Sequence, residues 1–149
     1  MIERLGIALA LAAFGWLAGR GINRYLLAQR ARRGLGLDEY RPGRPAILYF
    51  TAPGCAPCET IQRPALEELA VAFGQRLQVI EVDATLRPDL ADSWGVLSVP
   101  TTFIIDTHGR PGGVNHGAVR ADRLAAQLAQ SGEVPTDATR AARRAPVGP

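Results

Sequence analysis

The chain has 149 residues, a formal net charge of +3, and 47% hydrophobic and 21% charged residues. These values suit one globular domain with appendages and exclude wholesale disorder. The basic excess sits at the ends: residues 1–44 carry eight arginines against three acids, residues 45–132 six against nine, and residues 133–149 three against two, so the central part lacks the basic surface of a nucleic-acid binder.

Residues 5–19, LGIALALAAFGWLAG, are free of charge. As a helix they span roughly 22 Å, short of a ~30 Å hydrocarbon core unless Arg4 and Arg20 snorkel to the headgroups. Three readings are open: an uncleaved anchor over residues 1–28, a cleaved secretory signal, and a helix packed on the domain. The first is preferred, because no A-x-A site precedes Arg20 and because Trp16 and Tyr25 suit an interfacial belt. Arg20, Arg24, Arg30, Arg32 and Arg33 follow the apolar run and only Arg4 precedes it. The positive-inside rule then places the following domain in the cytosol, with an extracytoplasmic domain as the alternative.

Residues 29–44, QRARRGLGLDEYRPGR, mix Arg, Gly and Pro and predict a basic linker. PAILYFTA (45–52) predicts a buried strand. Pro57 suits the first turn of a helix on which Ile61, Ala65, Leu66, Leu69, Ala70 and Phe73 recur at helical spacing, with Gly74 as the stop. LQVIEVDA (77–84) predicts a strand, PDLADSWG (88–95) a short helix ending at Gly95, and TTFIID (101–106) a third strand. THGRPGG predicts a turn and GVNHGA a fourth strand. RADRLAAQLAQ (120–130) predicts an amphipathic helix with Leu124 and Leu128 on one face. Residues 132–149 predict a disordered tail.

The only cysteines, Cys55 and Cys58, stand two residues apart at the predicted strand-to-helix junction. They are too few for a disulfide framework or a complete zinc site, and His108 and His116 lie far along the chain. A thiol at a helix start meets free N–H groups and the helix dipole, which favour the thiolate. A second thiol nearly one turn on is placed to resolve a mixed disulfide. Cys55 is therefore the candidate nucleophile and Cys58 the resolving thiol. No metal and no cofactor are expected beyond the dithiol itself.

ILYFTAPGCAPC, VIEVDA, SVPTTFIID followed by HGRPGG, and the closing helix resemble the thioredoxin family over residues 45–131. The resemblance implies an α/β thioredoxin-like fold: a mixed four-stranded sheet, five-stranded if an opening strand is present, with flanking helices. It implies that Pro100 is cis and packs against the dithiol, and that Gly54, Val99 and Pro100 border a groove for an extended substrate segment. It also exposes departures. Gly54 stands where the family usually has Trp, Tyr49 where it has a buried acid, and Val79 where it has a lysine. Pro64 comes six residues after Cys58 where the family's helix proline comes five after. Glu81, two residues from Val79 and on the same strand face, is the substitute candidate for proton acceptor.

The expected function is thiol-disulfide exchange with protein disulfides, in the reducing direction, because no histidine separates the cysteines as it does in strongly oxidising relatives. An unidentified upstream electron donor is required, and a monomer is expected. The alternative is a non-catalytic binding module that holds a partner near Pro100. A narrower variant is an electron donor dedicated to one membrane partner, with the anchor raising effective concentration.

Overall fold

The computed structural model describes residues 36–131. The anchor predicted over 1–28, the first part of the linker predicted over 29–44 and the tail predicted over 132–149 lie outside them. Among the described residues no helix is long and apolar enough to cross a membrane.

Strand β1, Ala46–Thr51, is AILYFT and is buried at every position. Such a strand must be covered on both faces, and its alternation divides the core. Ile47 and Tyr49 join one cluster with Leu66, Leu69, Phe73, Ile104, Leu124 and Leu128. Ala46, Leu48 and Phe50 join a second with Ile80, Val82, Leu90, Trp94, Phe103 and Ile105. The first cluster is roofed by α1 (Arg63–Phe73) and α3 (Ala121–Gln130), the second by α2 (Pro88–Trp94). Phe50, Trp94 and Phe103 fill the second cluster with ring centroids 4.8 to 6.5 Å apart. Such aromatic pairs add about 0.5–1.5 kcal/mol each beyond the area they bury.

The sheet order is β2–β1–β3–β4, with β2 at Gln78–Asp83, β3 at Thr101–Ile105 and β4 at Pro111–His116. β1 pairs in parallel with β2 and antiparallel with β3, and β3 pairs antiparallel with β4. The predicted mixed sheet is thus present with four strands among the described residues, not five. β4 begins at Pro111, two residues before the predicted GVNHGA, and ends at His116. The turn closes early because the Asp106 N–H donates to the Arg110 carbonyl (2.9 Å) and Gly109 N–H to the Asp106 carbonyl (3.0 Å). A strand that starts on proline is tolerated there because β4 is an edge.

α2 stops at Gly95, as predicted, in the left-handed conformation (φ 63°, ψ 38°). The helix before it departs from a regular period. Ile61 is 45% exposed and Ala70 is exposed, so neither takes the core position predicted for it. Gln62 is buried instead. For Ile61 and Gln62 the cause is a π-helical turn over Cys58–Gln62, where the Arg63 N–H donates to the Cys58 carbonyl five residues back. That turn absorbs one extra residue and accounts for Pro64 standing six places after Cys58.

The segment before β1 packs on the sheet. Leu37 and Tyr40 rest against the second cluster, and the Tyr40 hydroxyl donates to the Asp106 carbonyl at 3.0 Å. At the outer side of β2, the Gln78 side-chain amide accepts from the Arg41 N–H (2.8 Å) and donates to the carbonyls of Arg41 (2.8 Å) and Arg44 (3.0 Å).

Candidate active site

Cys55 and Cys58 are joined by a disulfide just beyond the end of β1. Residues 52–55 form the connecting turn, closed by the Cys55 N–H donating to the Ala52 carbonyl at 3.3 Å. Pro53 is its second residue, and Gly54, the third, has φ +74°. That is the pattern of a type II turn, with Pro and Gly at the positions that favour them. It supplies a local reason for Gly54 where a tryptophan was expected: a side chain at that φ costs roughly 1–2 kcal/mol.

The Cys55 carbonyl accepts from Cys58 N–H (3.0 Å) and Glu59 N–H (3.3 Å), so Cys55 occupies the cap of the helix that starts at Ala56. Cys55 is half-buried, whereas Cys58 is 0% exposed. Of the two sulfurs, that of Cys55 is the more accessible from outside. Val99 and Cys55 both pack against the cluster that contains Cys58. The Val99–Pro100 peptide bond is cis, the isomer that the family resemblance implies. Pro100 is buried, and its carbonyl accepts from Gly117 N–H at 2.8 Å. Cys55, Cys58 and Val99 therefore share the first cluster, with Gly54 and Pro100 as the chain neighbours of Cys55 and Val99.

Glu81 pairs with Tyr49 in the β1–β2 register and so shares its sheet face, the face of the first cluster. It is exposed, and both its oxygens accept from the Arg63 guanidinium at 3.0 Å. Arg63 also donates to Glu59 at 3.1 and 3.2 Å, tying α1 to the edge strand. These half-exposed pairs are each worth about 0–1 kcal/mol, so they orient rather than stabilise.

Tyr49 stands where the family has a buried acid. It is fully buried, and its hydroxyl donates to the Cys58 carbonyl at 3.5 Å. Burial pushes its phenol above the ordinary value, with the Glu81 charge adding to the rise and Thr51 and Arg63 opposing it. A phenol held protonated is no substitute for a carboxylate base.

The residue that sequence reasoning missed is Gln62. It is 0% exposed, its Oε1 accepts from the Val119 N–H at 2.9 Å, and its Nε2 has no partner. An orphaned buried donor costs about 1–3 kcal/mol. The signal available was the displaced Pro64, which marks an added residue in this turn. Among the described residues no group of three or more His, Cys, Asp or Glu is placed to hold a metal ion.

The thioredoxin family model matches residues 40–130. A chloroplastic thioredoxin Y of Oryza sativa is 31% identical over 91 residues, covering 61% of this chain and 53% of that protein. A thioredoxin of Bacillus subtilis is 38% identical over 56 residues, covering 38% of this chain and 53% of its own length. The chain thus spans about half the length of these two relatives. A solved chloroplastic thioredoxin z is 26% identical with a TM-score of 0.56, over 60% of this chain and 80% of that one.

Because Tyr49 is raised in the folded state, the unfolded chain ionises first, near pH 10. This group's contribution is therefore complete below about pH 10 and is lost as pH rises further. Urea unfolding between about pH 8 and about pH 11 is expected to show a flatter loss of stability in Tyr49→Phe than in the parent protein.

Proposed function

The chain belongs to the thioredoxin family, and from that premise we propose that it reduces protein disulfides through Cys55 and Cys58. The observation that carries the reading is the asymmetry of the pair: a half-buried cysteine capping a helix and a fully buried one inside its first turn. The Cys55 thiolate, favoured by the helix start, attacks a substrate disulfide. One substrate sulfur joins Cys55 and the other leaves as a thiolate that takes a proton. The Cys58 thiolate then attacks Cys55 Sγ, the mixed disulfide breaks, and the second substrate thiol departs. Two electrons have passed to the substrate and Cys55–Cys58 is oxidised, so a dithiol donor must reduce it again. The groove beside Gly54, Val99 and Pro100 takes an extended substrate segment in this scheme. Insulin reduction by dithiothreitol tests it: Cys55→Ser is expected to abolish catalysis, and Cys58→Ser to accumulate a mixed disulfide with the substrate. Undiminished turnover in Cys55→Ser rejects the mechanism, and a parent protein with no turnover of its own favours a binding module.

The proton of Cys58 needs an acceptor, and Glu81 is assigned to it here because it shares the sheet face of Tyr49 and is held in place by Arg63. Glu81→Gln is expected to slow resolution and to alter its pH profile. A profile identical to that of the parent removes Glu81 from the scheme.

The uncharged run 5–19 and the arginines after it support a membrane tether with the domain on the cytosolic side. Protease added to intact spheroplasts is expected to spare the domain. Its digestion from outside places the domain, and its electron source, beyond the membrane.

A further inference from the structure

Cys58 and Gln62 are the two buried residues of the π-helical turn, and both are 0% exposed. Residues four apart on a helix lie on one face, and helical side chains lean over the preceding turn. The Gln62 amide is therefore housed on the side of the helix from which Cys58 acts. Its orientation is fixed chemically. The Val119 N–H needs an acceptor, so Oε1 must face it at 2.9 Å, which leaves Nε2 as the outward end of the amide. Nε2 is the one buried side-chain nitrogen or oxygen among the described residues that lacks a partner. Cys58 and Val119 belong to the same apolar cluster, so a donor is held without use in the surroundings of the resolving sulfur.

We propose that Gln62 Nε2 is a donor reserved for the reduced protein: partnerless while Cys55 and Cys58 are joined, it donates to the Cys58 thiolate once they part. Reduction by an external dithiol delivers two electrons, breaks the Cys55–Cys58 bond, and leaves the Cys58 sulfur with a negative charge until a proton arrives. An anion in an apolar cluster needs a hydrogen-bond donor. Gln62 supplies one and so favours the reduced state over the oxidised one. The same side chain, through Oε1, ties the helix to the loop whose Gly117 N–H meets the Pro100 carbonyl, so the donor is set in a fixed frame.

The inference rests on Cys55 and Cys58 being a working redox pair, and its test reads an equilibrium instead of a turnover. The full-length chain and Gln62→Met, similar in volume but without the donor, are equilibrated in dithiothreitol redox buffers at a pH high enough to keep Cys58 of the reduced protein a thiolate. The variant is expected to show a tenfold or greater fall in the equilibrium constant for reduction, about 30 mV toward more reducing potentials. Lost packing, or loss of the Val119 contact, weakens both redox states alike and leaves this constant in place. A constant within about threefold of the parent's overturns the proposal while leaving disulfide exchange intact. A pair that cannot be reduced at all defeats both. Should the variant not fold, the parent protein decides: the Gln62 side-chain amide resonances are expected to move between oxidised and reduced forms, and identical resonances overturn the proposal.

Discussion

Burial of both faces of β1 is the constraint on which the rest of the structure depends. Its six residues, all apolar or nearly so, cannot lie at a surface, and the two clusters they feed fix which helices cover which side. The same strand aims the chain at the cysteine pair. It ends at Thr51, the Pro53–Gly54 turn reverses direction, and Cys55 then caps a helix whose next turns cover Tyr49. A helix dipole and a buried thiol are thus delivered to one point by a run of hydrophobic residues with no chemistry of their own.

The helix that follows Cys55 shows a local cost accepted within that frame. A regular α-helix from Ala56 would close with bonds to the fourth residue back, but the segment Cys58–Gln62 uses the fifth. The extra residue turns Ile61 toward solvent and brings a polar amide into an apolar cluster, with one of its groups unpaired. Irregular turns of this kind are frequent at functional sites, where the rest of the fold bears the strain. Here the neighbouring cluster keeps Leu66, Leu69, Phe73, Leu124 and Leu128 all buried.

Most of the architecture was legible because it follows from pattern. AILYFT, QVIEVD and TTFII read as strands from their β-branched and aromatic content, and Gly95 ended its helix where a left-handed residue was needed. The start of β4 was misplaced because Pro111 and two glycines read as turn residues, and only the edge position of that strand lets them pair. Of the site, the cysteines and Pro100 were legible from their spacing and family pattern. Glu81 shares the strand face of Val79, as alternation requires, yet its pairing with Arg63 was not visible, because that contact joins a strand to a helix preceded by the π turn. Gln62 was invisible for the same reason: a period of 3.6 assigns core positions to apolar residues and has no slot for a buried amide.

The Gln78 side chain, bonded to both the N–H and the carbonyl of Arg41, copies the paired contacts that a neighbouring strand would make. Among the described residues β2 is an edge of the sheet, and an open edge is a template for the edge of another molecule. A side-chain amide placed there works as a stopper at the β1-start end of β2. Farther along the same strand, the exposed Glu81 and half-buried Asp83 put carboxylates beside the edge, where a second copy would bring two more. Carboxylates on both sides of such a junction would repel each other, so the two devices together work against sheet-to-sheet joining at this edge.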